Sequence, residues 1–204
     1  MAPTAPRWKR PLDLIVATFG LVVLSPVLLA ISLVIACADG QPVFYRGQRV
    51  GLCGNRFRII KFRTMVRDAD QVGGASTPED DPRLLPIGRF LRAHKLDELP
   101  QLINVLRGDM SIVGPRPQVP WAVERYSEEE RALLSVRPGL TDPASLRFSN
   151  EGALLAGAED PDAEYYRVIH PEKVRLSLEY VRAPALRTDI ILILRTAARV
   201  LGSE

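Results

Sequence analysis

Uncharged, mostly apolar residues run without interruption from Leu14 to Ala38, with a Ser25-Pro26 pair near the centre of the run. About 25 residues are enough to cross a bilayer as a helix. A proline inside a helix removes one backbone hydrogen bond and clashes with the carbonyl one turn back, which predicts a bend at Pro26. A bend at mid-depth lets the chain return to the face it entered from. Ser25 can bond a carbonyl that the bend frees. Basic residues stand on both sides: Arg7, Lys9 and Arg10 before the run, and Arg46, Arg49, Arg56, Arg58, Lys61, Arg63 and Arg67 after it. Basic flanks favour the cytoplasmic side, and a straight crossing places one of these on the wrong face. A re-entrant hairpin helix satisfies both flanks, whereas a single kinked span satisfies one. The residues alone leave both paths open. A cleaved signal peptide fits less well, because the apolar run exceeds a typical signal core and no small-residue cleavage site precedes Asp39.

After the run the pattern shortens. Phe44–Tyr45 and Phe57–Met65 read as strands around a Gly51/Gly54 turn. Asp68–Pro82, rich in Asp, Gly, Ser and Pro, reads as a mobile loop. A helix is predicted over Leu84–His94. A second starts near Asp97, with Leu99, Leu102, Ile103 and Leu106 at helical spacing and Gly108 as its stop. Gly114-Pro115-Arg116-Pro117 is a rigid loop. Trp121–Leu134 reads as a helix, Arg137-Pro138-Gly139 as a turn, Gly152–Asp162 as a loop and Pro171–Tyr180 as a helix. Leu186–Leu201 is a basic amphipathic helix, suited either to a core with a solvated face or to a membrane interface.

The remaining composition narrows the chemistry. The chain has 204 residues, and those outside the apolar run are enough for one soluble domain with its own core. The formal net charge of +3 is concentrated around the apolar run, which suits an anionic membrane face or a phosphate-bearing substrate. Nucleic acid is not indicated, since no basic-aromatic interleaving or binding motif is present. Two cysteines, Cys37 and Cys53, form no disulfide framework and fit a reducing compartment. With two histidines and no Cys/His cluster, zinc is not indicated, and a carboxylate site for a hard cation stays open.

The acidic pair Asp97-Glu98 precedes Leu99-Pro100. Asp97 as an N-cap places Pro100 in the first turn, where its missing N–H is no loss. The same position suits a nucleophile. A carboxylate at a helix start meets a phosphoryl group when a cation such as Mg²⁺ screens the repulsion, and attack then gives an acyl phosphate. Guanidinium groups must hold the non-bridging oxygens. Arg92 stands before the pair, and Arg116 is locked between two prolines, which lowers the entropy lost on clamping an anion.

Together these residues resemble the bacterial sugar transferases, the small monotopic phosphoglycosyl transferases that act as undecaprenyl-phosphate sugar phosphotransferases. The resemblance rests on Lys9-Arg10-Pro11-Leu12-Asp13, Ser25-Pro26, Lys61-Phe62-Arg63-Thr64-Met65 and the long block from Ile87 to Pro117. It implies an α+β, mainly helical chain. Residues 1–39 form a re-entrant membrane helix-break-helix, and 40–204 a small cytosolic catalytic domain with interfacial amphipathic helices and a short β-hairpin. It implies Asp97 as nucleophile and Mg²⁺ ligand, with Glu98 as its partner. Arg92 and Arg116, with Arg147, Lys61 and Arg63, are implied at the substrate phosphates. After Leu140-Thr141 many members continue with a Gly and a Trp-Ala-Gln run, whereas this chain reads Asp142 to Glu151 differently. That departure marks a distinct subgroup and leaves the sugar open. The larger members carry extra N-terminal transmembrane helices, and this chain looks like the minimal catalytic form.

The expected activity is transfer of a sugar-1-phosphate from a UDP-sugar to polyprenol phosphate, with Mg²⁺ and release of UMP, at the cytoplasmic face of the bacterial inner membrane. It would begin glycoconjugate or exopolysaccharide assembly. Expected partners are the UDP-sugar donor, the polyprenol phosphate acceptor and membrane lipids, with a second copy or downstream glycosyltransferases as candidates and nucleic acid excluded. Two competing readings are a non-catalytic, membrane-anchored binding module and a phosphoesterase using the same acidic pair. Sugar contacts are expected from Asp68–Pro82 and Asp142–Asp162.

Overall fold

The computed structural model describes residues 6–67, 69, 78, 80–200 and 202. Most of the predicted Asp68–Pro82 loop therefore lies outside the described residues. Helix α1 (Lys9–Asp39) holds Pro26 in its interior. Pro26 has no N–H to give the carbonyl of Val22, four residues back. Ser25 Oγ donates to that carbonyl instead, at 2.8 Å. The helix therefore continues through Ser25-Pro26, and the break expected there is not an interruption. By length and composition α1 can cross a membrane.

Both ends of α1 are fastened to the same body of protein. At the start, Lys9 is buried and donates to Tyr180 Oη at 2.7 Å and to Asp189 Oδ2 at 2.5 Å. Arg10 donates to the carbonyls of Val105 and Leu106, capping the end of a later helix. Asp13 accepts from Ser111 Oγ and the Ile112 amide, both at 2.8 Å. At the far end, Arg63 Nη2 reaches the Asp39 and Gly40 carbonyls and the Asp39 carboxylate, each at 2.9 Å. A straight helix of this length spans about 46 Å.

Between these ties the helix packs on two apolar clusters. Val16, Ala17, Leu21 and Leu24 join a core of Ile59, Leu102, Val105, Met110, Val113 and Leu192. Leu28, Ile31, Ile35 and Ala36 join Val43, Phe62 and Leu91. The opposite face stays open and apolar from end to end, through Ile15, Phe19, Val22, Val23, Leu29 and Leu33.

The rest is α+β, built from short pieces. Strand β1 (Phe44–Tyr45) pairs antiparallel with β4 (Lys61–Phe62), and β2 (Gln48–Val50) with β3 (Arg56–Arg58). The strand expected over Phe57–Met65 is thus split between two ladders. Asn104, fully buried, sets the link: it accepts from the Ile60 amide and donates to the Arg58 carbonyl, both at 2.9 Å. Helix α2 (Pro86–Ala93) leads into a 3₁₀ segment, Leu96–Gln101, and then α3 (Leu102–Arg107). Gly108 ends α3 in the left-handed region, as predicted from its position.

Strands β5 (Ser111–Val113) and β6 (Gly139–Thr141) pair in parallel, so Gly139 begins a strand where only a turn was expected. The predicted helix Trp121–Leu134 is two pieces, α4 (Pro120–Glu124) and a 3₁₀ segment Glu130–Ser135. A reciprocal Ser127–Glu130 capping box restarts the chain between them. Short helices α6 (Glu151–Leu154) and α7 (Pro161–Glu164) take the two ends of the loop expected over Gly152–Asp162, whose middle, 155–160, is in no helix or strand, and α5 (Pro143–Arg147) precedes it. Asp142 caps α5 at the Ser145 amide, and Asp160 caps α7 at the Ala163 amide. Helices α8 (His170–Arg182) and α9 (Leu186–Val200) close the chain. On α9, Asp189 and Leu192 face the core while Ile190, Ile191 and Leu194 are exposed.

Candidate active site

Asp97 lies inside the 3₁₀ segment rather than at a helix cap. Lys95 holds the capping position, in the left-handed region at φ 55°, with no side-chain cap bond. A left-handed lysine stores about 1–3 kcal/mol of backbone strain, a cost that recurs at functional sites. The capping role open to Asp97 in the sequence is therefore not the one it plays. Its carboxylate is 6% exposed and makes no hydrogen bond or ion pair among the described residues.

Glu98, the next residue, is fully committed. Lys61 Nζ donates to its Oε1 at 2.7 Å, and Arg116 grips both oxygens with Nη1 and Nη2. The two carboxylates are pushed apart in acidity. Burial raises the Asp97 pKa, outweighing Lys61, Arg92 and Lys95 around it. Burial acts on Glu98 as well, but Arg116 and Lys61 overcome it and hold Glu98 well below the usual range. Burial also lowers Lys61 and Lys95. Adjacent carboxylates separated in this way are a pattern of acid–base and nucleophilic sites.

Two cavities meet at Asp97. The larger, about 880 Å³, opens where α1 ends, between Gln41–Arg46 and Lys61–Arg67. The smaller, about 250 Å³, carries Trp121, Tyr165 and Tyr166 with Arg116, Glu151 and Lys173. Arg49, Lys61, Arg92 and Asp97 line both. Tyr165 and Tyr166 sit in a π-helical turn, Tyr165–Ile169, that carries them onto this wall. Gln101, 1% exposed, also lines the smaller cavity, and its Nε2 has no hydrogen-bond partner.

The residues singled out in the sequence are mostly brought together. Asp97, Glu98, Lys61, Arg92 and Arg116 converge, and Arg63 lies on the larger cavity. The Arg92 guanidinium forms no hydrogen bond or ion pair among the described residues and keeps its donors free. Arg116 is engaged with Glu98 even without substrate. Arg147 is not brought to the pair: it is exposed, lines neither cavity, and acts electrostatically on Glu172. Lys95, Lys173, Glu151, Trp121, Tyr165 and Tyr166 were not singled out. Their spacing carries no signal, because five separate elements deliver them. The expected sugar-contacting stretch Asp142–Asp162 does reach the site, through Glu151, Gly152 and Asp162.

No group of three or more His, Cys, Asp or Glu side chains suited to a metal occurs among the described residues. The donor set that exists, one free carboxylate open to both cavities, fits a hard cation only when substrate oxygens complete the shell.

A free buried carboxylate with Arg49, Lys61 and Arg92 around it has the charge pattern that suits a phosphate-bearing substrate. The chain belongs to the bacterial sugar transferase family, whose profile matches residues 4–203. It is 33% identical to the exopolysaccharide production protein ExoY of Sinorhizobium fredii (strain NBRC 101917 / NGR234), over 94% of this chain and 84% of that protein. It is 36% identical to the UDP-glucose:undecaprenyl-phosphate glucose-1-phosphate transferase of Caulobacter vibrioides, over 96% and 70%. With the undecaprenyl-phosphate galactose phosphotransferase of Salmonella typhimurium it shares 34% identity, over 96% of this chain and 41% of that protein. It is a membrane-associated transferase.

Proposed function

We propose that this protein moves a sugar-1-phosphate from a UDP-sugar to polyprenol phosphate through a phosphosugar carried on Asp97. The observation that carries this is the contrast within the pair. Glu98 is spent on Lys61 and Arg116, while Asp97 is buried, unpaired and open to both cavities. A carboxylate with raised pKa is a better nucleophile once ionised.

The smaller cavity suits the nucleotide, offering aromatic faces to the base and Arg116 and Lys173 to the phosphates. An Asp97 oxygen attacks the phosphorus that bears the sugar. The bond to the bridging oxygen breaks, and its electron pair leaves with UMP. A phosphate oxygen of the acceptor then attacks the same phosphorus, and the Asp97 carboxylate is released. Arg92 and Lys61 hold the non-bridging oxygens through both transfers. Glu98 fixes Lys61 and Arg116 in place. Mg²⁺, when bound to Asp97 and the donor phosphates, would neutralise charge on the departing UMP.

The same proposal places α1 on one leaflet. Both of its ends are tied to one domain, and its apolar clusters follow it along its length, which a straight crossing would not allow. The open apolar face of α1 and the exposed Ile190, Ile191 and Leu194 of α9 then rest in lipid at the cytoplasmic face. Mg²⁺-dependent UMP release from a UDP-sugar, measured in detergent with polyprenol phosphate, tests the reading. Release of free sugar phosphate without a lipid acceptor would instead mark a phosphoesterase, and no release at all a binding module.

A further inference from the structure

Lys95 follows His94, the C-cap of α2, and lies in the left-handed region at φ 55° and ψ 19°. Glycine is common at that position, because it adopts the conformation with no Cβ clash. The turn from α2 into the 3₁₀ segment uses only the backbone of Lys95. Its amide donates to the Arg92 carbonyl, and its carbonyl accepts from the Glu98 amide. Glycine would make the same turn without strain, so the turn does not account for a lysine. Residues held in strained conformations cluster at active sites. The side chain is exposed, and it lines the smaller cavity together with Asp97. Its Nζ makes no hydrogen bond or ion pair among the described residues. The other cations of that cavity are engaged or shared. Lys61 and Arg116 already hold Glu98, and Lys173 holds Glu151. Arg49 and Arg92 line the larger cavity as well. Among the described residues Lys95 is therefore the unengaged cation that lines the smaller cavity and not the larger.

We propose that Lys95 is a further catalytic residue, whose Nζ receives the departing phosphate of UMP. The proposal rests on the transferase reading and deepens it. When an Asp97 oxygen bonds to the phosphorus, the bond to the bridging oxygen breaks. Its electron pair stays on the UMP phosphate, which gains one negative charge. A cation beside that oxygen is worth more in the transition state than in the bound donor, because the charge is only then forming. No proton has to move, since a phosphate monoester carries close to two negative charges at neutral pH. Burial and Arg116 lower the Lys95 pKa, and a phosphate facing the ammonium opposes that shift. The second transfer runs the other way in charge. The attacking acceptor oxygen loses negative charge, so Lys95 does not accelerate that step.

Three variants of the full chain separate charge from strain. Lys95→Met keeps the strain and removes the charge, Lys95→Arg keeps both, and Lys95→Gly removes both. The donor is the UDP-sugar that the wild type turns over fastest in a panel of UDP-glucose, UDP-galactose and their N-acetyl forms, with saturating Mg²⁺ and no lipid. Single-turnover UMP release by Lys95→Met is expected to fall about 10²- to 10³-fold, the loss found for one donor at a developing oxyanion. The donor KM should change far less, and Lys95→Arg should recover most of the rate. Lys95→Gly should release UMP as slowly as Lys95→Met, yet melt about 2–4 °C above the wild type. Inhibition by UMP should weaken in Lys95→Met while inhibition by uridine stays the same. Phosphosugar accumulated on each variant should be discharged by undecaprenyl phosphate at the wild-type rate. Release at the wild-type rate in Lys95→Met or Lys95→Gly would overturn the proposal. So would an equal loss in Lys95→Met and Lys95→Arg, or an equal slowing of release and discharge. Should Lys95→Met fold poorly, the strain-free Lys95→Gly carries the test. Absence of UMP release from the wild type with every donor would instead remove the transferase reading itself.

Discussion

Asp97 and Glu98 are neighbours in sequence and opposites in environment. The raised Asp97 pKa means that the fold disfavours its ionised form. Asp97→Asn should therefore stabilise the protein, by about 0.5–2 kcal/mol, while abolishing transfer. The loss of activity should be at least ~10³-fold, as for removal of other nucleophiles. Thermal melting and UMP release check the two halves. Glu98 behaves in reverse. Its pKa lies well below its ordinary value of 4.5, so its stabilisation is full above that value and is lost as pH falls through the lowered pKa. Glu98→Gln should cost about 1.5–3 kcal/mol at neutral pH and loosen Lys61 and Arg116 together. The acid limb of kcat/KM should belong to Asp97 and stand above the usual carboxylate range, because the proposed mechanism requires its ionised form. An acid limb at or below that range, in a pH profile of single-turnover UMP release, contradicts the assignment.

At the scale of elements, the block from Ile87 to Pro117 was legible as one unit, and it builds the site as one unit: α2, the 3₁₀ segment, α3, β5 and the Arg116 loop. The chemistry within it could be read from residue type. The geometry could not, because a 3₁₀ segment and an α-helix share their first turn in sequence pattern. Strands of two or three residues are too short for alternation to show, so β2, β5 and β6 were hidden and β3 and β4 merged. The helix expected over Trp121–Leu134 has the right apolar spacing, but Ser127 and Glu130 restart it. Lys9, Arg10 and Asp39 were legible only as flanking charges, since the partners that hold them lie 24 to 180 residues away. Close packing between elements was equally silent. A Cβ added at Gly88 on α2 would come within 2.0 Å of the Thr64 carbonyl oxygen, which is backbone and cannot swing aside. Gly88→Ala should cost about 1–3 kcal/mol by overpacking. It should also lower activity by moving Arg92 relative to Asp97, measured as a drop in melting temperature with a rise in donor KM.

At the scale of the whole molecule, one apolar helix serves as anchor and as scaffold. Its buried side joins the two apolar clusters, and its open side is exposed and apolar. The larger cavity is lined from Gln41 onward, just past the end of α1. Single cysteines at Arg7 and Arg46, both exposed, in a Cys37→Ser/Cys53→Ser background report the path of α1. Both should react with an impermeant thiol reagent from the cytoplasmic side of inverted vesicles; reaction from opposite sides would mean a straight crossing. The identity of the sugar was not legible, because Asp142–Glu151 departs from the pattern of many members.

Mass spectrometry of the protein after rapid quenching with a UDP-sugar and Mg²⁺, in the absence of lipid, bears most directly on the central claim. One added sugar phosphate on the peptide containing Asp97, discharged by undecaprenyl phosphate and absent from Asp97→Asn, is the expected result. Full transfer activity in Asp97→Asn, or an adduct on any other residue, would contradict it.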